Sequence, residues 1–323
     1  MRSFFDPTLI ERHGAAFIRE SEIDSALARL IPKVRITKGR YTWPARAKQR
    51  DLVWNHMDQN HRPYIHRTYD DAMRLHIGEQ AAFSLTRFGN WPVVVPVFDG
   101  HYKDNGFYQV LCLFGLIVVV IFIEACDDGE KRFMQIDWAI ASHRLLRFLH
   151  PILDRRLRRL NDVQNAEDEV IRDRRVELRA EGYRFLTDDP DFVNSNAVGN
   201  NVVYPPVATS QVLSLADLGM SEVRRIVVDR RAFLVRRVAE TIQIWPGVCP
   251  HEGACIEPDH VRENMVRCPW HGLEFKMRSL SSGETATICG ARIEYRDGAL
   301  HVAAASYGPN VAPGFSAAVT RDR

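Results

Sequence analysis

The side chains best suited to metal chemistry lie in two short stretches of this sequence. The later stretch, "CPHEGACIEPDHVRENMVRCPWHG", holds the pairs Cys249-x-His251 and Cys268-x-x-His271, with sixteen residues between the pairs. Two thiolates and two imidazoles suit zinc or an iron-sulfur cluster. In a zinc site the two Cys usually stand together and the two His together, whereas here each pair mixes one Cys with one His. The spacing predicts a metal centre, with zinc, or buried side chains without metal, as the alternatives.

The earlier stretch is "WNHMDQNHRPYIHRTYDD", which contains Asn55, Asp58, His61 and His66. Two His and a carboxylate form the facial triad that binds non-haem Fe(II) and leaves three positions open. By itself, such a pair of His also suits the polar end of a surface helix.

A third ligand must come from elsewhere, and "QNAEDEVIRDRR" offers Glu167 and Asp168. Helical periodicity places Glu167 on the face that carries Val163, Val170 and Ile171, with Asp168 to one side. Periodicity alone therefore favours Glu167.

Composition limits the classes of protein that these sites could belong to. The chain has 323 residues, which predicts two domains, and 43 basic against 41 acidic side chains give a charge of +2. Such a balance provides no global field that selects nucleic acid or an anionic membrane as a partner. Six Cys are too few for a disulfide scaffold. The first residues lack the apolar run of a secretory signal, so we expect a cytoplasmic protein.

The pattern of apolar residues predicts the elements that must position these side chains. Residues 92–140 read as strands, and the apolar run 110–123 reads as two buried strands, with contact to a membrane as the alternative. Residues 143–179 read as helix, which we expect Pro151 to break into two. An Asp-, Asn- and Pro-rich stretch predicts a linker near residue 200. Short strands follow it and predict a small all-β domain.

The later stretch is similar to the Rieske [2Fe-2S] motif, in which Cys-x-His is followed after fifteen to seventeen residues by Cys-x-x-His. The resemblance implies that Cys249 and Cys268 hold one iron of the cluster, and that His251 and His271 hold the other. Neutral imidazoles raise the reduction potential of such a cluster above that of an all-thiolate cluster.

The earlier stretch resembles the mononuclear iron motif of Rieske non-haem iron oxygenases such as dicamba, vanillate and pheophorbide oxygenases. That motif reads Asn-x-x-Asp-x-x-His-x-Pro-aromatic-x-His, and Asn55, Asp58, His61, Pro63, Tyr64 and His66 match it position by position. The resemblance implies that His61, His66 and Asp168 bind Fe(II), with Glu167 as the alternative third ligand. It also implies that Asn55 lies next to the iron, and that Asp58 bridges an iron histidine to a cluster histidine.

The same resemblance implies an oxidoreductase of the α+β class that oxidises a hydrophobic small molecule with O2. Its electrons would come from a ferredoxin or flavin reductase that draws on NAD(P)H, and the chain would form a homotrimer. The family usually has its Rieske domain first, so this chain reverses the order. We expect a helix-grip-like iron domain at 1–200, a Rieske domain at 201–307 and a flexible tail at 308–323. The alternative function is a Rieske electron-transfer protein with a front domain that does not catalyse.

Overall fold

The structure is a computed structural model whose described residues form two compact units. The first unit comprises the described residues up to Asp173, and the second comprises those from Arg174 onward. The described residues are 23–58, 60–67, 69–77, 81–88, 94–103, 105–188 and 201–305.

The first unit is built on an antiparallel sheet of seven described strands in the order β1-β7-β6-β5-β4-β3-β2. The strands are β1 Val34–Pro44, β2 Tyr69–Ile77, β3 Ala81–Phe88, β4 Val94–Lys103, β5 Gly106–Leu113, β6 Ile117–Asp127 and β7 Arg132–His143. The predicted pair of strands within 110–123 is confirmed: β5 and β6 meet at a turn over residues 114–116. β-Branched residues fill β6 because they pack well on a pleated surface that is buried on both faces.

The helices of the first unit are α1 Ile23–Leu30, α2 Gln49–Met57, α3 Arg62–Ile65 and α4 His150–Ala180, which continues into the second unit. A 3₁₀ segment, Arg144–Leu149, joins β7 to α4. The expectation that Pro151 breaks the helix is wrong, because α4 is continuous. Pro151 lies in the first turn, where a backbone N–H has no acceptor within the helix and a proline is tolerated.

Helix α4 lies along one face of the sheet and is held there by polar contacts. Trp138 Nε1 on β7 donates to Asp154 Oδ1 at 3.0 Å, and the Tyr41 hydroxyl on β1 donates to Asp162 Oδ1 at 2.7 Å. Gly39 is paired with Trp138 across the two strands, and any side chain at Gly39 would overlap the indole ring. The glycine therefore lets the indole cross β1 and reach the helix.

The second unit is made of short antiparallel strands in several small sheets. Two four-stranded sheets have the orders β10-β20-β19-β18 and β11-β12-β13-β17, and β14-β15-β16 and β8-β9 form smaller ones. The strands are β8 Arg184–Phe185, β9 Val202–Val203, β10 Gln211–Ser214, β11 Val223–Val228, β12 Arg231–Val238, β13 Thr241–Pro246, β14 Val261–Arg262, β15 Met265–Arg267, β16 Glu274–Lys276, β17 Arg278–Ser281, β18 Thr285–Ile288, β19 Ala291–Arg296 and β20 Ala299–Ala304. The inward-facing side chains of the two four-stranded sheets form an apolar core that includes Phe233, Ile244 and Ile293.

These observations confirm the predicted α+β class, with an antiparallel sheet and helices first and small all-β sheets after them. The predicted boundary near residue 200 and the tail 308–323 fall on residues 189–200 and 306–323, which lie outside the described residues, so both stay predictions. Within the described part of the chain, no helix combines the length and the apolar character needed to cross a bilayer.

Candidate metal centres

Three of the predicted iron ligands come together in the first unit. The Nε2 atoms of His61 and His66 are 3.3 Å apart, and each lies 3.3 Å from Asp168 Oδ1. Both imidazoles are buried, and the Asp168 side chain is mostly buried. The structure therefore brings Asp168 together with His66, although 101 residues lie between them in the sequence.

The spacing of these three atoms suits a single metal ion. A triangle with sides of 3.3 Å has a centre about 1.9 Å from each corner. Transition metals bind imidazole nitrogen and carboxylate oxygen at about 2.0–2.2 Å, so a small displacement from the plane of the triangle satisfies all three bonds. Two neutral nitrogens and one carboxylate on one side of an ion are the donor set of non-haem Fe(II) sites.

A second carboxylate lies behind each imidazole. Glu167 Oε2 is 3.1 Å from His66 Nδ1, and Glu167 Oε1 accepts the Arg67 backbone N–H at 3.3 Å. Asp58 Oδ2 lies 3.6 Å from His61 Nδ1, an ion-pair contact longer than a hydrogen bond. Carboxylates in this position fix the tautomer of a metal-binding His, so that Nδ1 keeps the proton and Nε2 faces the metal.

The two carboxylates that the sequence left as alternatives thus have different places. Asp168 Oδ1 faces both Nε2 atoms, whereas Glu167 lies at the far side of His66. Asn55 Nδ2 also donates to Asp168 Oδ1, at 3.3 Å, which puts Asn55 beside the predicted iron position. The expectation that Asp58 also meets a cluster histidine stays a prediction.

The position of the two histidines depends on a buried ion pair between α3 and the sheet. Arg62 starts α3, directly after His61, and its two Nη atoms lie 3.3 and 3.2 Å from the Asp99 carboxylate on β4. Gln109 Nε2 on β5 donates to the same carboxylate at 2.7 Å. Both charged side chains are buried, so their pairing is needed to offset the cost of desolvation.

Charge interactions in the site shift its acid–base equilibria. Burial lowers the pKa of His61, but the carboxylates of Asp168 and Asp58 outweigh it and hold that pKa above its ordinary value. Burial dominates at His66 and lowers its pKa. Although burial alone would raise the pKa of Asp168, the two imidazoles and Arg172 hold it below its ordinary range. The carboxylates thus favour the protonated form of His61, whereas burial favours the neutral form of His66.

The four predicted cluster ligands lie in two loops of the second unit that have the same backbone pattern. In the first loop, Cys249 N donates to the Ala254 carbonyl at 2.8 Å and Gly253 N donates to the Cys249 carbonyl at 3.0 Å. In the second loop, Cys268 and Gly272 make the equivalent bonds at 2.8 Å each. Both glycines have positive φ, which the tight turns need.

The side chains of these loops point toward one another in the arrangement that a cluster needs. His251 Nδ1 and His271 Nδ1 are 3.2 Å apart, and all four side chains are buried. Burial raises the pKa of Cys249. In contrast, hydrogen bonds from Cys249 and His271 outweigh burial at Cys268 and lower its pKa. The sulfur and nitrogen atoms present therefore fit a [2Fe-2S] cluster held by two thiolates and two imidazoles.

A buried charged network supports the first of these loops. Glu252 follows the ligand His251; its Oε2 lies 3.7 Å from Arg175 Nη1, and its Oε1 accepts Asn201 Nδ2 at 2.5 Å. Arg175 is fully buried, with its guanidinium carbon 3.8 Å from the centre of the Phe185 ring. A deeply buried ion pair adds little to the stability of the folded state, but removing one of its partners destabilises the fold because the other charge stays buried.

These supporting residues were not predicted from the sequence, although part of the signal is present. Arg175 follows Ile171 by four positions and precedes Leu178 by three, so it shares their buried helix face. A charged residue on such a face implies a buried partner. No local pattern identifies Asp99 as the partner of Arg62, because 37 residues separate them.

Comparison with known proteins identifies part of the second unit. Residues 208–290 match the family model of the Rieske [2Fe-2S] domain. The match covers strands β10 to β18 as well as Cys249, His251, Cys268 and His271, and it implies a [2Fe-2S] cluster. None of the curated proteins matches the sequence of this chain.

Several solved structures are similar in fold to part of the chain. Truncated norcoclaurine synthase from Thalictrum flavum is 8% identical with a TM-score of 0.37, over 43% of this chain and 95% of its own. The di-domain ARO/CYC protein StfQ from the steffimycin biosynthetic pathway is 8% identical with a TM-score of 0.39, over 53% of this chain and 62% of its own. The Mll3558 protein from Rhizobium loti is 12% identical with a TM-score of 0.33, over 42% and 98%.

Replacing Arg175 with Met is expected to destabilise the second unit by about 3–5 kcal/mol, because the Glu252 charge then stays buried without its cation. The double variant Arg175→Met/Glu252→Gln is expected to recover much of that loss, since no buried charge remains. Chemical unfolding of the reconstituted protein, followed by cluster absorbance and circular dichroism, measures both. The exposed Arg184→Met is the control and is expected to change stability by less than about 0.5 kcal/mol. Equal losses in the single and double variants would show that the ion pair has no such role.

Proposed function

We propose that the protein is a Rieske-type oxygenase that oxidises a hydrophobic small molecule with O2. The observation that carries the proposal is the convergence of His61 Nε2, His66 Nε2 and Asp168 Oδ1 within 3.3 Å of one another, in a chain that also contains a Rieske domain. When bound, the [2Fe-2S] cluster supplies electrons one at a time, and Fe(II) supplies the position at which dioxygen is activated.

The side chains around the triad have roles that follow from their contacts. Glu167 lies within hydrogen-bond distance of His66 Nδ1, whereas Asp58 acts on His61 Nδ1 through a longer ion-pair contact. Asn55 donates to Asp168 Oδ1 and so limits rotation of that carboxylate. Together these contacts fix three donor atoms before a metal arrives, which lowers the cost of ordering them on binding.

The sheet supplies the apolar surface for the proposed substrate. Val97 on β4, Leu111 on β5 and Val119 on β6 are paired across neighbouring strands, so they lie on the same face of the sheet, and all three are buried. Apolar walls with a few polar groups are typical of small-molecule sites. We propose further that a ferredoxin or flavin reductase using NAD(P)H supplies electrons, and that the chain works in the cytoplasm as a homotrimer.

A second function is a Rieske electron-transfer protein whose front unit does not catalyse. The observation that favours it is the extent of the family match, which covers residues 208–290 and leaves the first unit without a match of that kind. The two functions differ in the number of iron atoms that the chain holds.

Anaerobically reconstituted protein is expected to contain about three iron atoms and about two acid-labile sulfides per chain, because a cluster and a mononuclear site are both filled. Asp168→Ala is expected to lower the iron content to about two without loss of sulfide, since it removes a ligand atom. Glu167→Ala is expected to keep about three irons at saturating iron, because Glu167 contacts only the far side of His66. Iron and sulfide analysis measures these values. About two irons in the wild type, at full cluster occupancy, would reject the oxygenase in favour of the electron-transfer protein.

Asp58→Asn is expected to weaken metal binding at the triad by about ten- to a hundredfold, because the carboxylate that orients the His61 ring is lost. Titration with Co(II) as a spectroscopic substitute for Fe(II) measures the affinity without a known substrate. Asp162→Asn, which alters a carboxylate that contacts Tyr41 instead, is the control and should bind Co(II) as the wild type does. Wild-type affinity in Asp58→Asn would remove this residue from the site.

A further inference from the structure

One end of the seven-stranded sheet exposes a cluster of large apolar side chains. Six such side chains are each exposed over more than half of their surface: Leu30, Phe114, Leu116, Leu145, Phe148 and Ile152, called here the apolar rim. They come from three segments, which are the end of α1, the β5–β6 turn, and the stretch from Arg144 into the first turn of α4.

Strand pairing places these three segments side by side. Val34, at the start of β1, pairs with His143, at the end of β7, and Ser142 pairs with Ile117, at the start of β6. The Arg144 backbone N–H also donates to the Lys33 carbonyl at 3.1 Å. Because neighbouring strands are about 4.8 Å apart, the ends of β1, β7, β6 and β5 span about 15 Å. The three segments that carry the apolar rim therefore lie at the same end of the sheet.

The charged residues around the apolar rim are almost all basic. Segments 29–35, 113–117 and 143–156 contain seven Arg or Lys, all exposed, namely Arg29, Lys33, Arg35, Arg144, Arg147, Arg155 and Arg156. Asp154 is their one acidic residue, and it is half-buried and bonded to Trp138 and Arg158. The chain as a whole has a charge of only +2, so this concentration of positive charge is local.

The β5–β6 turn departs from the residues that its backbone favours. Phe114 has a φ of 54° and is followed by Gly115, also with positive φ. Asn, Asp and Gly are the residues that adopt this conformation most readily, and a bulky aromatic residue adopts it at a cost. Phe114 is exposed, so burial within the unit does not offset that cost. An exposed aromatic residue in an unfavourable backbone conformation indicates a role in contacts outside the unit.

We propose that the apolar rim docks this protein on a lipid bilayer that contains anionic lipids. Aromatic and aliphatic side chains insert at the boundary of headgroups and acyl chains, while Arg and Lys around them bind the anionic headgroups. The apolar side chains stand on three separate turns and helix ends, so they can enter a soft interface together without a matching groove. The near absence of acidic residues agrees with a negatively charged surface as the occupant.

Docking is tested with reconstituted protein and two kinds of vesicle, one of phosphatidylcholine alone and one with roughly a third phosphatidylglycerol. The wild type is expected to float with the anionic vesicles and to bind the neutral vesicles at least about tenfold more weakly. Phe114→Ser/Phe148→Ser and Arg144→Gln/Arg147→Gln are each expected to lower binding to anionic vesicles by about tenfold or more. Added salt should weaken the binding of the wild type.

Matched controls come from exposed residues of the second unit. Val212→Ser/Val227→Ser removes exposed apolar side chains, and Arg262→Gln/Arg267→Gln removes exposed charge; both are expected to bind vesicles as the wild type does. Cluster absorbance and iron content should be unchanged in all variants, which confirms that they fold. Absence of wild-type binding, or equal losses in controls and rim variants, would overturn the proposal. The proposal would also be overturned if the wild type binds no vesicle and the Phe114→Ser/Phe148→Ser variant sediments as a smaller assembly than the wild type. The apolar rim would then be an interface between copies of the chain.

Discussion

The contact of the Asp168 carboxylate with two buried imidazoles is the interaction on which the first unit's site depends. One oxygen lies 3.3 Å from His61 Nε2 and 3.3 Å from His66 Nε2, and it joins the long helix α4 to the segment around α3. Three ionisable groups this close and this poorly hydrated are stable only when charges are balanced. The surrounding structure supplies that balance, through Asp58 and Glu167 behind the imidazoles and the pairing of Arg62 with Asp99.

Buried charges are also balanced by nearby partners in the second unit. Four ligands of two types converge in two loops whose hydrogen bonds follow one pattern, and the acidic Glu252 within the first loop is held by Arg175 and Asn201. Glycines at positive φ allow the turns, and a Cβ at Gly253 would come within 2.9 Å of Leu178 and 3.0 Å of Phe185. Ligand position is thus set by close packing as well as by hydrogen bonds.

Local spacing and periodicity predicted the features that depend on short-range order, but only the family resemblance selected Asp168, which lies far from His61 and His66 in the sequence. Cys249, His251, Cys268 and His271 could be identified because their spacing is local, and the alternation of apolar residues indicated the strands around them. Helical periodicity favoured Glu167 over Asp168 because it treated Val170 as buried, whereas Val170 is 70% exposed. Which carboxylate faces the histidines depends on how α4 lies on the sheet, and no pattern within α4 contains that information. The prediction of a helix break at Pro151 was wrong because the position of a proline within a helix, and not its presence, decides whether the helix breaks.

The most direct test of the account is an anomalous difference map at the iron absorption edge from crystals of anaerobically reconstituted protein. The account predicts two separate iron positions: a two-iron peak among Cys249, Cys268, His251 and His271, and a single peak about 2 Å from His61 Nε2, His66 Nε2 and Asp168 Oδ1. A map with full density at the cluster and none at the triad would contradict it.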